Sequence, residues 1–299
     1  MKYAFFPGCS LESTAWDFDK STRAMCQALD IELTDIPDWT CCGSTPAHSS
    51  NASLATALPA MNLQKAREMG LEVMAACASC YARLRTANHK VKTDEQERER
   101  VKTITGAAYA GETPVRHVLD VLVNEYTVER VRSRISKPLS GLRVASYYGC
   151  LLSRPPEVVA FDNPEHPTCM DELIDAAGGE PVDWPYKTEC CGASLSLSNA
   201  NIVGRLSHRL LAMAVEAGAD CIAVACPLCQ MNLDMRQADA NAHGKLPPTP
   251  ALYITQLLGL ALGLKPDDLG LNALTINANA VLKKISSGER RSAQAGAAR

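Results

Sequence analysis

The chain has 299 residues, 46% hydrophobic and 21% charged, with a formal net charge of −3. Its length suits two domains of about 100–150 residues, and its acidic balance with 5% aromatics leaves neither a basic nor a base-stacking surface, so nucleic acid is not an expected partner. No run approaches the roughly 20 apolar residues of a membrane span and the N-terminus has no signal-peptide pattern; the expectation is a cytoplasmic protein, free or held at a membrane through partners.

In chain order, "KYAFF" reads as a buried strand running into Pro7-Gly8-Cys9, and "DKSTRAMCQALD" as a helix. The doublet Cys41-Cys42 follows, closed by Gly43, and then "NASLATALPAMNLQKAREMG", helical in its apolar spacing and ending on glycine. "LEVMAA" is a second strand, leading into Cys77-x-x-Cys80. Residues 85–103, dense in charge of both signs, read as an exposed helix or loop.

The series then starts again. "LRVASYY" leads into Gly149-Cys150, "CMDELIDAAGG" is helical, and the doublet Cys190-Cys191 is again closed by glycine, Gly192. "RLSHRLLAMAVEAG" is helical, and the strand "CIAVA" leads into Cys226-x-x-Cys229. Ten of the thirteen cysteines thus form two copies of one pattern, with 34 residues between doublet and CxxC in both. Between lone cysteine and doublet there are 31 residues in the first copy and 39 in the second, the extra eight falling in the turn-rich "SRPPEVVAFDNPEHP". The similarity goes beyond cysteine: "TPVRHVLDVLV" and "TPALYITQLLG" follow the CxxC at matching places, and the pair Tyr147-Tyr148 is matched to Phe5-Phe6 as an aromatic wall. A period near 145 residues is a duplicated domain, not a solenoid.

Strands alternating with helices predict an α/β fold: two pseudo-symmetric duplicated domains, each a small, mostly parallel sheet with flanking helices. The expected boundaries are residues 1–138, 139–265 and a C-terminal extension, 266–299, that is partly flexible because "KKISSGERRSAQAGAAR" lacks a core-forming pattern. Parallel sheets bind ligands at the carboxyl ends of their strands, which gathers the cysteines on one edge of each sheet. Gly43 and Gly192 suit a close backbone approach or a positive φ there.

So many thiols in a long chain without secretory features point to metal or redox chemistry before a disulfide framework. A structural zinc takes four ligands, whereas each copy offers five cysteines and no matched histidine. A thioredoxin-like dithiol would use Cys226-Pro227-Leu228-Cys229 but leave the lone cysteine and doublet idle. Iron–sulfur ligation suits thiolates arriving from several loops onto one inorganic core.

With its spaced C, CCG and CxxC present twice over residues 1–260, the chain resembles the CCG-domain proteins, and in particular the B subunits of heterodisulfide reductases. The resemblance implies two noncubane [4Fe-4S] clusters, one on Cys9, Cys41, Cys42, Cys77 and Cys80 and one on Cys150, Cys190, Cys191, Cys226 and Cys229. It further implies an oxidoreductase subunit that cleaves or forms a disulfide, or acts on lipoate-bound sulfur, and works only in a complex. An iron–sulfur C-type subunit and a flavin-containing A-type subunit are the implied partners, and a disulfide or a lipoyl carrier the implied substrate. Relatives of the same motif imply the alternative, an electron-transfer or anchoring subunit of a dehydrogenase or succinate:quinone reductase.

His48, six residues past the first doublet, is a candidate proton donor because its ordinary pKa lies near neutrality; His89 and His117 have less to recommend them. Cys26, Cys169 and Cys221 stand outside the repeat and are expected to be small buried hydrophobes or plain thiols.

Overall fold

Each half of the chain folds around its own four-stranded sheet. The computed structural model describes residues 1–44, 46–159 and 161–297, with only the backbone of Pro46 and of residues 289–297. In the first half β1 (Lys2–Phe6), β2 (Glu32–Asp35), β3 (Val73–Ala75) and β4 (Val115–His117) run parallel in the order β2-β1-β3-β4. In the second, β5 (Arg143–Tyr147), β6 (Glu180–Pro181), β7 (Cys221–Val224) and β8 (Ala251–Tyr253) repeat it as β6-β5-β7-β8. The inner strands and β8 are largely apolar because helices cover both faces, and β3, β7 and β8 are buried throughout, whereas the edge strands β2 and β6 are partly or wholly exposed. The fold is the expected α/β duplication, and every strand pair in both sheets is parallel.

The helices follow from capping and turn residues. After β1 comes α1 (Trp16–Ala28). Next, α2 (Ala52–Glu68) begins where the Asn51 side chain accepts the Leu54 N–H. The charged stretch supplies the end of α3 (Ala78–Thr93) and most of α4 (Glu95–Thr105), with the Asp94 carboxylate capping the start of α4. α5 (Val128–Arg134) closes the first half. In the second, α6 (Cys169–Ala176) precedes α7 (Ala200–Glu216), which Asn199 caps as Asn51 caps α2. α8 (Pro227–Asp234) follows β7, and α9 (Ile254–Ala261) follows β8.

The two halves share one core and exchange helices. α9, behind the last strand of the second half, packs on α1 of the first, and α5, behind the last strand of the first half, packs on α6 of the second. At the first contact Phe18 stacks on Tyr253 with ring centroids 3.9 Å apart, Ser21 and Thr255 hydroxyls are 2.7 Å apart, and Gln256 Nε2 donates to Asp17 Oδ2 at 3.3 Å.

Three details differ from expectation. Phe6 pairs with Ala75 and Tyr147 with Val224, so Tyr147 is the counterpart of Phe6 and Tyr148 of Pro7, one residue out of the match to Phe5-Phe6. The Tyr148 hydroxyl instead accepts the Met170 N–H, at 2.8 Å. The extra residues of the second half reach over the first: Arg85 Nε donates to the Val158 carbonyl at 2.7 Å, and Phe161 packs on Tyr81 and His117. Finally, the C-terminal extension, expected to be partly flexible, contains α10 (Asn279–Ala297), and Val281 and Ile285 near its start are buried. Ahead of it, the Asp234 carboxylate accepts the N–H groups of Thr275 and Ile276, at 2.7 and 3.0 Å.

Candidate cysteine centres

In each sheet the chain leaves one inner strand toward one edge and returns by the other, so the carboxyl ends of β1 and β3, and of β5 and β7, flank a crevice at the switch in strand order. Cys9 follows β1, Cys41 and Cys42 lie beyond β2, and Cys77 and Cys80 follow β3 at the start of α3. Cys150, Cys190, Cys191, Cys226 and Cys229 occupy the same stations in the second half. All thirteen cysteines are free thiols.

The contacts within the sets repeat as well. Cys42 Sγ lies 3.4 Å from Cys80 Sγ, and Cys191 Sγ lies 3.7 Å from Cys229 Sγ. Cys150 Sγ is 3.9 Å from Cys190 Sγ. Gly43 N–H points at Cys41 Sγ at 3.4 Å, and Gly192 N–H at Cys190 Sγ at 3.3 Å, both glycines having positive φ. The second member of each doublet and both CxxC cysteines are buried, whereas Cys9 and Cys190 reach the surface. At the inner side, the Cys77 and Cys226 thiols interact across the two halves.

Crowding of thiols shapes their ionisation. Its neighbours Cys41 and Cys80 pull Cys42 down to about 4, and Cys150 pulls Cys190 down to about 6. Cys41 is pushed up by Cys42, Cys150 by Cys190, and Cys80 by Cys42 and Cys77. In each set, crowding thus favours the thiolate at one cysteine and disfavours it at its neighbours, a competition that a cationic metal core would relieve. Among the described residues no three His, Cys, Asp or Glu side chains are gathered as a group that could hold a single metal ion.

Two further features reserve space. Gly8 and Gly149, directly before the lone cysteines, have φ of +71° and +65°, and a Cβ there would lie 2.8 Å from Cys80 Sγ and 3.0 Å from Cys229 Sγ. Arg83, one turn past Cys80 on α3, has a buried Nε–H without an acceptor among the described residues, and its charge reaches Cys42.

His48 stands at the rim of the first set, its N–H bonded to the Gly43 carbonyl and its Nδ1 accepting from Arg83 Nη1 at 2.8 Å. Arg83 lowers its pKa. His117, fully buried, donates from Nε2 to the Ala76 carbonyl at 2.7 Å and accepts the Leu119 N–H at Nδ1; burial lowers it to about 4. His89 lies nine residues beyond Cys80 on α3, about 13 Å along the helix. Cys26, Cys169 and Cys221 are buried outside both sets, and burial pushes all three up, Cys26 to about 12. Two side chains at the centres escaped the sequence reading. One is Arg83; the other is Tyr253, whose buried hydroxyl has no partner among the described residues and lies within reach of charge on Cys226 and Cys77. Both occupy places where the two copies differ, Arg83 against Asn232 and Tyr253 against His117.

Comparison with known proteins adds relatives of nearly the same length. The model of the CCG family, described as a cysteine-rich domain, matches residues 3–85 and 144–234. The 8-methylmenaquinol:fumarate reductase membrane anchor subunit of Wolinella succinogenes is 33% identical over 281 residues, covering 93% of this chain and 98% of that protein. The B subunit of the ferredoxin/F(420)H(2)-dependent CoB-CoM heterodisulfide reductase of Methanosarcina acetivorans is 33% identical over 292 residues, covering 95% and 97%. A crystal structure of a hypothetical protein from Helicobacter pylori superposes with a TM-score of 0.73 at 14% identity, over 92% of this chain and 52% of that one. The chain therefore spans about half of that structure, and the likeness is one of fold.

Proposed function

The chain belongs to the cysteine-rich CCG-domain family, and on that footing we propose that it is the B-type subunit of a heterodisulfide-reductase-like complex, carrying two noncubane [4Fe-4S] clusters. The observation that carries the reading is the pair of complete five-cysteine sets, each following the carboxyl ends of its own sheet, in two halves that share one core. One set alone would serve electron relay; two sets facing inward suit a substrate with two sulfurs.

Cys9, Cys41, Cys42, Cys77 and Cys80 would hold one cluster, and Cys150, Cys190, Cys191, Cys226 and Cys229 the other. Bound there, the clusters supply electrons singly, and two electrons with two protons turn a disulfide R–S–S–R′ into two thiols. The thiolates act as ligands, not as nucleophiles. The buried cysteines keep water from the inner side of each set, while Cys9 and Cys190 leave an open rim. Because Arg83 lowers the pKa of His48, its imidazole is neutral near pH 7, and this reading gives it no part as the acid.

The relatives are subunits of larger complexes, and this reading pairs the chain with an iron–sulfur C-type and a flavin-containing A-type subunit. The substrate is a disulfide or sulfur on a lipoyl carrier. The fumarate reductase relative favours a second reading, an electron-transfer or anchoring subunit. Among the described residues no helix is long and apolar enough to cross a membrane, so such anchoring would run through surface contacts or partners.

An anaerobic EPR titration of the purified complex with candidate disulfides and lipoyl carriers tests the proposal. A substrate-dependent paramagnetic state with iron in both sites is the expected result; iron in one site only, or zinc in both, refutes it.

A further inference from the structure

The thiols repeat, but the charges around them do not. At matching places the first half has Thr40, His48 and Arg83, and the second has Glu189, Leu197 and Asn232. Arg83 is half-buried, and its Nη1 bond to His48 fixes the guanidinium at the rim, within reach of the Cys42 thiol. Its buried Nε–H has no acceptor among the described residues. Asn232 is neutral and fully engaged, donating to the Cys191 carbonyl and meeting the Ser196 hydroxyl, both at 3.1 Å.

At the second mouth the Glu189 carboxylate adjoins Cys190 and opposes a thiolate there. The cation nearby, Arg209, is held on Tyr186, 4.8 Å from its ring centroid and donating to its hydroxyl at 3.0 and 3.1 Å. One set therefore lies under a fixed cation and the other beside a carboxylate.

We propose that this difference makes the two centres electrically unequal, the Cys9 centre taking up an electron at a higher potential than the Cys150 centre. The proposal rests on the reading of two iron–sulfur centres. Reduction adds one negative charge to a centre. A half-buried guanidinium stabilises that charge more than water would, and an adjacent carboxylate opposes it. Arg83 contributes the larger part, because Glu189 is exposed and screened. An electron delivered to the pair settles first on the Cys9 centre, and the Cys150 centre holds the more reducing one. The sequence repeat is two-fold, but the order of filling is fixed.

The test is an EPR-monitored redox titration of the full chain, isolated anaerobically in its complex. Two midpoints are expected, and Cys9→Ser should remove the higher. Arg83→Asn, which copies the second half, should change the oxidised-to-reduced ratio of that centre at fixed potential by at least tenfold, 59 mV for one electron, while Arg83→Lys keeps it near the parent value. Glu189→Gln, at an exposed position, should raise the lower midpoint and decides the matter even if Arg83→Asn fails to load iron. Two centres whose midpoints neither Arg83→Asn nor Glu189→Gln moves, or loss of the lower midpoint in Cys9→Ser, overturn the proposal. Absence of a second iron–sulfur centre refutes the functional reading instead.

Discussion

Replacing Gly8 by alanine separates two costs that three glycines carry in different mixtures. Gly8 has φ +71°, and a Cβ added there would sit 2.8 Å from Cys80 Sγ. Alanine in that left-handed conformation costs about 1–2 kcal/mol. Ordinary van der Waals contact begins at about 3.5 Å, so the thiol must also retreat by about 0.7 Å, several times the roughly 0.2 Å that a metal–ligand distance tolerates. Gly106 has φ +75° with nothing within 4 Å of its added Cβ, and isolates the backbone cost. Gly149, at φ +65° and 3.0 Å from Cys229 Sγ, repeats the test in the second half. Gly106→Ala should lower stability by about 1–2 kcal/mol and keep its iron. Gly8→Ala and Gly149→Ala should lose at least that stability and the iron of one centre each. Iron and sulfide per chain after anaerobic isolation, with denaturant titration, gives both quantities. Equal iron in Gly8→Ala and Gly106→Ala would show that the space beside Cys80 is not reserved for a ligand, and the fit argued here would fail.

Asp17 is buried where the halves meet, and burial raises its carboxyl from 3.8 to about 6. Folding therefore favours the protonated form. Its contribution is fully present below about pH 4 and is lost as pH rises through 6, a loss of about 3 kcal/mol. Asp17→Asn should gain on the parent protein over that window and stay ahead above it; a difference flat with pH in denaturant titrations from pH 4 to 8 would count against this account. Phe18→Ala, which removes the ring stacked on Tyr253, should cost about 3–5 kcal/mol, seen as a lower denaturant midpoint. Cys26→Ala, Cys169→Ala and Cys221→Ala should keep full iron content, whereas alanine at any of the ten repeated cysteines should reduce it; iron loss from one of the three would place that thiol in a centre.

The stations of the cysteines at strand ends were legible because parallel strands are short apolar runs closed by turn residues, and because each element appears twice. Alignment by likeness failed at Tyr147, where register is fixed by pairing with β7 and not by matching aromatics. At the C-terminal stretch the apolar signal is sparse, Val281 and Ile285 being buried four residues apart at the start of α10. Arg83 escaped for a different reason: a search for sameness passes over the positions where two copies diverge. The helix exchange has no local signature, since the amphipathic pattern of α1 and the all-round burial of α9 say nothing of which half each helix covers.

Because α9 of the second half covers α1 of the first, and α5 of the first covers α6 of the second, each half completes the core of the other. A chain ending near residue 138 would leave Phe18 and Ser21 on α1 without the Tyr253 and Thr255 that cover them. Two severed halves would then have to find one another at a rate set by their concentration. The covalent link makes that encounter intramolecular, at an effective concentration in the millimolar range typical of short connections, so each half always has at hand the helix that covers it.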